Sequence, residues 1–337
     1  MSRLSLHVAI EAWPLAKPFR IAGNVFAESR GVFVSIDDGE HRGRGEAQGV
    51  YYRSETAESM AAQIEVVRDA IEAGADRGDL QTLLPAGGAR NALDCAYWEL
   101  ESHRAGVPVW KLAGLATPRP LLSTWTIGGD MPEAMARDAV GYTGARSLKL
   151  KLIGDGLDAD RVRAVRAVRP DAWIGVDANQ GLDRQKLIDL LPALVEAGVA
   201  LIEQPVPVGA DATLAGLGSP IPIAADESVQ TLDDLAALKG RYDVVNIKLD
   251  KCGGLTEGLA MANAARDMDL RVMVGNMVGT SLAMAPSFVV GQLCDVVDLD
   301  GPLLLARDRE PSVRYSDGHI DCPDAVWGST LFQGAAL

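Results

Sequence analysis

Eight short apolar runs recur between residues 121 and 298, and six of them carry a charged side chain at their end or within two residues of it. They cover 121–127, 147–152, 173–177, 199–203, 221–224, 244–249, 271–275 and 295–298. Lys151, Asp177, Glu203, Asp226 and Lys248 follow one another at steps of 26, 26, 23 and 22 residues. Asp298 lies 50 residues beyond Lys248, with Gly275 and Asn276 bridging the gap. A strand, a loop and a helix together occupy about this length, so each βα unit delivers one reactive side chain. Eight parallel strands suffice to close a barrel, and such barrels build their sites at the C-terminal ends of the strands. The expected fold class is therefore α/β, a TIM-like (β/α)-barrel.

Length then divides the chain. One barrel of this kind takes about 250 residues, and a chain of 337 leaves room for a second domain. Residues 4–13 and 31–37 read as strands, the latter with Val32, Val34 and Ile36 alternating, while Gly43-Arg44-Gly45-Glu46 reads as a turn. Helices follow over 56–73, with Met60, Ile64, Val67 and Ile71 on one face, and over 89–105, where Gly106 and Pro108 end the pattern. Strands first and helices after predict an α+β domain over 1–115. The barrel takes 116–311. The tail, 312–337, carries Val313-Arg314-Tyr315 and His319-Ile320-Asp321 and is expected to return toward the N-terminal domain.

Charge and cysteine content narrow the setting. A formal net charge of −14 argues against nucleic-acid binding, which needs clustered Lys and Arg. No run approaches the roughly 20 apolar residues of a membrane span. Met1-Ser2-Arg3-Leu4-Ser5-Leu6-His7 lacks the apolar core of a secretion signal. Cys95, Cys252, Cys294 and Cys322 show no paired spacing. Reduced thiols in a cytoplasmic protein are expected.

The strand period of two sharpens the chemistry. In Leu148-Lys149-Leu150-Lys151-Leu152 the leucines share one face and the lysines the other. Asn246 and Lys248 likewise oppose Val245, Ile247 and Leu249. The apolar face suits the helix layer, which turns the lysines into the barrel. Asp177 with Asn179, and Asp298 with Asp300, form further i, i+2 pairs at strand ends. Interior charges are costly unless paired or metal-bound. Asp177, Glu203 and Asp226 offer three hard oxygen donors on consecutive strands, a set that favours Mg²⁺, with Mn²⁺ as a substitute, over zinc. A single acid at a strand end is commonly a cap or turn residue. Three at regular intervals, flanked by interior lysines, argue for a site.

These residues carry a resemblance. Lys149-Leu150-Lys151, Asp177-Ala178-Asn179, Glu203-Gln204-Pro205, Asp226-Glu227-Ser228 and the run from Asn246 to Gly254 resemble the enolase superfamily, in its muconate-lactonizing-enzyme subgroup. Glu11-Ala12-Trp13-Pro14-Leu15, Asn91-Ala92-Leu93-Asp94-Cys95 and Asp298-Leu299-Asp300-Gly301-Pro302 look like the subgroup's dipeptide epimerases. The resemblance runs nearly end to end and implies an enolase-type modified barrel beneath a capping domain. It further implies proton removal α to a carboxylate, with the enediolate stabilised by one Mg²⁺. Lys151 and Lys248 would be the two acid–base residues, one of them with a pKa held well below the usual lysine value of about 10.4. Asp177, Glu203 and Asp226 would be the ligands, and Lys149 an electrostatic helper. Asp298 and Asp300 would grip the substrate's ammonium, and Thr126, Asn276 and Met277 would line the pocket. Related barrels often self-associate, so a homo-oligomer is among the expected assemblies.

One departure bears on the substrate. Epimerases acting on Ala-Glu typically carry an arginine in the loop after Pro18-Phe19, where this chain has Gly23. Arg20 and Arg53 are the nearby cations, and Val25 and Phe26 suit an apolar side chain. The substrate is therefore expected to be a dipeptide whose second residue need not be acidic. Two other readings remain open. One is an N-acyl amino acid racemase, cycloisomerase or dehydratase on the same scaffold. The other is a metal-bound small-molecule binding protein without turnover, against which two facing lysines speak.

Overall fold

The computed structural model describes residues 3–21 and 24–329. Its N-terminal part is an antiparallel sheet of β1 (Ser5–Ile21), β2 (Asn24–Asp37) and β3 (Arg42–Gln48), in that order. Helices α1 (Ala57–Glu72), α2 (Arg77–Leu83) and α3 (Gly88–Ala105) cover one face, followed by a single turn α4 (Val109–Leu112). Val32, Val34 and Ile36 from the sheet meet Met60, Ile64, Ile71, Leu93 and Leu100 from the helices in one dry core. Thr56 caps α1 reciprocally with Ser59.

The expected turn at Gly43-Arg44-Gly45-Glu46 is instead the heart of β3. The reason lies across the interface. A Cβ on Gly43 would stand 1.9 Å from the Ala96 carbonyl, and one on Gly45 the same distance from the Ala92 carbonyl. The two glycines let α3 lie directly on the strand, so they mark close packing rather than reversal.

The barrel follows. Strands β5 (Trp125–Ile127), β6 (Ser147–Lys151), β7 (Trp173–Asp177), β8 (Leu201–Glu203), β9 (Ile223–Ala225), β10 (Val244–Ile247), β11 (Arg271–Val274) and β12 (Val296–Val297) pair in parallel in chain order. The amide of Thr124 donates to the Val297 carbonyl at 2.9 Å and joins the two ends of the sheet. Helices α5 (Pro132–Gly141), α6 (Asp158–Val168), α7 (Arg184–Glu196), α10 (Leu255–Asp267) and α11 (Ser281–Gly291) form the outer layer. Short α8 (Leu235–Leu238), α9 (Leu249–Cys252) and α12 (Gly301–Leu304) fill other connections.

The first apolar run divides. Its beginning, β4 (Leu121–Leu122), leaves the barrel and pairs with β14 (His319–Asp321), which is itself hairpinned to β13 (Arg314–Ser316). Beyond that hairpin the chain reaches the N-terminal domain. Trp327 Nε1 donates to the Arg44 carbonyl at 3.0 Å, and the Gly328 amide to Glu99 Oε1 at 3.1 Å. No helix among the described residues is long and apolar enough to cross a membrane.

Period two explains the barrel interior. Leu148, Leu150, Ile202, Val245 and Ile247 face the helices in the main core. Leu201, Ala224, Val244, Met273 and Val296, with Trp173 against them, form a separate apolar plug inside. Two residues further along the same strands come Glu203, Asp226, Asn246, Gly275 and Asp298. Three of these five interior faces thus run from apolar to a carboxylate toward their C-terminal ends, and a fourth to Asn246.

Glu99 clasps three segments of the chain. Its buried carboxylate accepts from Arg44 Nη2 at 2.6 Å, from the Arg44 amide at 2.7 Å and from the Gly328 amide. Breaking a fully buried pair costs about 3–5 kcal/mol. Since Arg44 keeps 35% of its side chain exposed, Glu99→Ala is expected to cost on the order of 2–3 kcal/mol. Urea unfolding reads this directly, and a loss below about 1 kcal/mol would deny the clasp its role.

Candidate active site

The charged residues predicted from strand period meet at the mouth of the barrel. Asp177 and Glu203 are register partners on β7 and β8, and Glu203 in turn faces Ala224 on β9, two residues before Asp226. Lys151 Nζ lies 2.6 Å from Asp177 Oδ2, and Lys248 Nζ 2.6 Å from Asp226 Oδ2. Lys149 is bonded to Asp298 and stands 3.5 Å from Glu203 Oε2. All of these side chains are buried.

Further partners surround these groups. Lys251, Gln204 and Thr124 escape the pattern reading, whereas Asn246 and Asn179 lie where strand period put them. Lys251, three residues past Lys248, donates to Asp226 Oδ1 and to the Asp226 carbonyl, both at 2.6 Å. A second lysine one helical turn after the first is the signal that could have found it. Gln204 accepts from the amides of Asp226 and Ser228 at 2.9 and 3.1 Å, fixing the loop that carries Asp226. Its φ of +35° is strained for a side chain of that size. Asn246 donates to Glu203 Oε1 at 2.7 Å. Asn179 Nδ2 reaches Glu227 Oε1 at 3.3 Å. Thr124 donates to Asp298.

A cleft opens over these groups. Lys151, Asn179, Asp226, Glu227, Lys248, Asn276 and Met277 form its floor and sides. Leu15, Phe19 and Phe26 from the β1–β2 hairpin, with Tyr51 and Tyr52 from the turn after β3, form the roof. Thr126 lines a neighbouring cleft with Phe19 and Tyr142. Asp298 is engaged below the cleft by Lys149 and Thr124, while Asp300 accepts from the Thr126 amide at 2.6 Å. Asn276 Nδ2 donates to the Asp298 carbonyl at 2.5 Å. Arg53 bonds Gln230 at 3.4 Å, at an exposed position. Ala22, Gly23 and the side chain of Arg20 lie outside the described residues.

The electrostatics divide the lysines. Burial works to lower the pKa of Lys248, but Asp226 and Glu203 outweigh it and hold the ammonium well above the usual lysine value. Lys149 is raised in the same way, burial being overcome by Asp298 and Glu203. Lys251 alone is lowered, by its burial. The carboxylates are correspondingly split. Burial, then Asp177, pushes Glu203 up to about 8, and burial with Asp226 and Asp177 pushes Glu227 up to about 7. Burial and Asp298 carry Asp300 to about 6. Against its own burial, Asp226 is held far below the carboxylate range by Lys248 and Lys251.

The mouth is short of positive charge. Asp177, Glu203, Asp226, Glu227, Asp298 and Asp300 face Lys149, Lys151, Lys248 and Lys251, a formal excess of two negative charges among buried groups. Glu203 Oε2, Glu227 Oε2, Asn179 Oδ1 and Asn246 Oδ1 are buried acceptors that receive no hydrogen bond, although Lys149 stands 3.5 Å from the first. Among the described residues no three carboxylate, imidazole or thiol groups are gathered into a finished cage, because Asp177 and Asp226 turn toward lysines. The donor set nevertheless suits one hard divalent cation: oxygen-only, two charges in deficit, with an orphaned Glu203 oxygen at its centre.

This geometry has known counterparts. Residues 3–114 match the mandelate racemase / muconate lactonizing enzyme N-terminal domain, and residues 132–327 the enolase C-terminal domain-like family. The chain belongs to the enolase superfamily. The L-Ala-D/L-Glu epimerase of Escherichia coli (strain K12) is 41% identical over 312 residues, 92% of this chain and 97% of that protein. The N-acetyl-D-glutamate racemase of a Pseudoalteromonas species is 39% identical over 251 residues, 74% of this chain and 79% of that protein. Among solved structures, an Agrobacterium tumefaciens enolase family member with homology to dipeptide epimerases, bound to sodium and L-Ala-L-Glu, superposes with a TM-score of 0.93 at 39% identity, covering 96% of this chain and all of that one. The Methylococcus capsulatus dipeptide epimerase, complexed with Mg and L-Arg-D-Lys, gives 0.88 at 32% identity, covering 96% and 98%. Relatives of this enolase-superfamily chain thus include epimerases of dipeptides and a racemase of an N-acetylated amino acid.

The raised Glu203 sets a pH dependence. Between its ordinary value near 4.5 and about 8, the unfolded state has lost a proton that the folded state keeps. Stability contributed by this group therefore falls as pH rises through that window. With a chelator present, Glu203→Gln is expected to flatten the decline between pH 5 and 8, read as urea midpoints against pH. Parallel wild-type and variant curves would refute the assignment.

Proposed function

We propose that the protein epimerises dipeptides by moving a proton at the carbon α to the carboxylate. The observation that carries this is the placement of Lys151 and Lys248. They stand at the ends of β6 and β10, four strands apart in a ring of eight, hence on opposite sides of one cleft. Asp177, Glu203 and Asp226 occupy the three strands between. An inversion needs a proton acceptor on one face of a carbon and a donor on the other, and two opposed lysines supply both.

Mg²⁺ held by Asp177, Glu203 and Asp226, or Mn²⁺ in its place, would supply Lewis-acid stabilisation of charge on the substrate carboxylate and absorb the carboxylate field that favours ammonium at Lys248. One of Lys151 and Lys248 takes the α-proton as neutral amine, and the other delivers its own ammonium proton to the opposite face. The roles reverse for the other epimer. Lys149 stays charged on Asp298 and raises the local positive potential. The roof of Leu15, Phe19, Phe26, Tyr51 and Tyr52 excludes water and strengthens each of these interactions. Asp298 and Asp300 take the substrate's ammonium, with Thr126 orienting Asp300 and Asn276 the Asp298 backbone. Met277 and the aromatic roof suit a second residue with an apolar side chain.

Racemisation of an N-acyl amino acid is the second reading, favoured by the prior engagement of Asp298 with Lys149. The two separate on the amine. Asp298→Asn or Asp300→Asn removes a charge-assisted bond worth about 1.5–3 kcal/mol, so kcat/KM for a dipeptide should fall roughly 10- to 100-fold, whereas an N-acyl substrate should be spared. Incubation of a dipeptide library in D₂O with Mg²⁺, followed by mass spectrometry for α-deuterium, tests the whole. Exchange is expected on dipeptides, to vanish with chelator and return with Mg²⁺. Lys151→Ala and Lys248→Ala should each reduce epimerisation about 10²- to 10⁴-fold. Exchange confined to N-acyl amino acids would replace the first reading with the second.

A further inference from the structure

The Asn91-Ala92-Leu93-Asp94 segment and the paired glycines after Cys252 have no place in the proton transfer, yet they meet. Helix α3 of the capping domain lays its polar edge along the segment that follows Lys248. Asn91 Nδ2 donates to Asp250 Oδ1 at 3.0 Å, and the Gln48 amide reaches the same oxygen at 3.0 Å. Arg90 donates to the carbonyls of Cys252 at 2.6 Å and Gly253 at 3.3 Å. Asp94 accepts from the Thr256 amide at 2.9 Å and hydroxyl at 2.6 Å. A Cβ on Gly253 would stand 2.3 Å from Arg90 Nε, and one on Gly254 2.5 Å from Asp94 Cβ, in backbone conformations of φ +86° and +122°. The glycines are what let α3 come this close.

The two lysines are anchored differently. Lys151 is the last residue of a five-residue strand, every residue of which is paired with β7. The loop after it is tied within the barrel: the Leu152 amide bonds the Asp177 carbonyl, and the amides of Ile153 and Gly154 bond Asp158. Lys248 stands past the end of β10, as the cap of the four-residue α9. Its carbonyl accepts from the amides of Lys251 and Cys252 at 2.9 and 3.1 Å. One turn of helix does not hold itself together in isolation, so its position is set by what grips it from outside. Lys251 ties this turn to Asp226 and to the Asn246 carbonyl within the barrel, and Arg90 reaches the Cys252 carbonyl from the capping domain. Asp250, buried in the first turn of α9, is the α9 side chain that accepts from the capping domain.

Resting on the reading of Lys151 and Lys248 as the acid–base pair, we propose that Asp250, held by Asn91 and the Gln48 amide, is the positioning residue for Lys248 and has no such role for Lys151. The capping domain, besides roofing the cleft, then sets the place of one of the two bases. The same Asp250 bond ties Lys248 to the start of the roof segment, since Gln48 immediately precedes Gly49 and Tyr51 in the lining.

Epimerisation cannot resolve this, because each turnover uses both lysines. Deuterium incorporation into substrate of unchanged configuration can, because that exchange uses one lysine alone. Lys248→Ala identifies which epimer depends on Lys248. For that epimer, Asp250→Ala is expected to slow retention exchange roughly 10- to 100-fold, the scale of an ångström-level displacement of a reacting group, while the other epimer changes less than about threefold. Asp250→Asn, which still offers an oxygen to both donors, should restore most of the rate. Asp94→Ala, a loss of an anchor eight residues past Lys248, serves as the comparator for general loosening and should affect both epimers alike. Equal slowing of both epimers by Asp250→Ala, or of neither, overturns the proposal while leaving the acid–base pair intact. Retention exchange of both epimers that survives Lys248→Ala in full overturns the pair, and with it the proposal. Should Asp250→Ala be recovered unfolded, Asn91→Ala decides by the same criterion, with a smaller effect of the same sign.

Discussion

Ten ionisable side chains buried in one barrel mouth are the constraint on which the rest of this structure depends. Desolvating a charge costs several kcal/mol even after relaxation, so such a cluster survives only if each member finds a partner. The ring of parallel strands makes that possible, because register places Asp177 beside Glu203 and Lys151 beside Asp177. The apolar plug beneath, from Trp173 to Val296, keeps water from below. Main-chain amides are held by side chains such as Gln204, so the loops cannot relax the cluster apart. What the protein's own groups cannot supply is two positive charges. That deficit pushes up Glu203 and Glu227 and leaves acceptors without a hydrogen bond.

Much of this was legible because period two and the βα repeat are both strong signals. The alternation in Leu148-Lys149-Leu150-Lys151-Leu152 can be satisfied only with leucines outward, and the structure places them so. Each of the eight runs supplies one barrel strand for the same reason. What was hidden depended on surfaces that no local pattern describes. Gly43 and Gly45 looked like a turn because their meaning lies on α3. Leu121 and Leu122 read as barrel strand because the hairpin that claims them lies nearly two hundred residues later. Lys251 sat in plain view in a quoted run, yet its target, Asp226, is known only once β9 and β10 are neighbours.

The direction of a buried lysine's pKa depends on distances. Sequence supplies burial, which lowers an ammonium's pKa, and it supplies carboxylates, which raise it. It does not supply their distances. At 2.6 Å from Asp226, Coulomb attraction in a poorly screened site exceeds the desolvation of Lys248, whereas Lys251, enclosed further and sharing the same carboxylate, goes the other way. A base of ordinary lysine type at this position therefore requires that the carboxylates be engaged elsewhere when substrate binds. The chemistry of the proposed site is then inseparable from its cation, and the buried acids are as much a control on Lys248 as they are prospective ligands.

The ring also divides by task. From β6 to β10 run the two lysines and the three central carboxylates, and this half can accept, donate and stabilise charge. From β11 through β12 to β5 come Asn276, Met277, Asp298, Asp300 and Thr126, which offer hydrogen bonds, a packing surface and an acid pair but no base. A substrate whose reacting carbon lies between Lys151 and Lys248 must extend its remainder across this second half. Exchange of the residues there, or of the hairpin roof above, can alter what is recognised without touching the proposed acid–base pair. A scaffold arranged in this way keeps one reaction while its substrates diverge, and relatives named for Ala-Glu and for N-acetyl-D-glutamate, with a dipeptide epimerase complexed with L-Arg-D-Lys, are what such a division would allow.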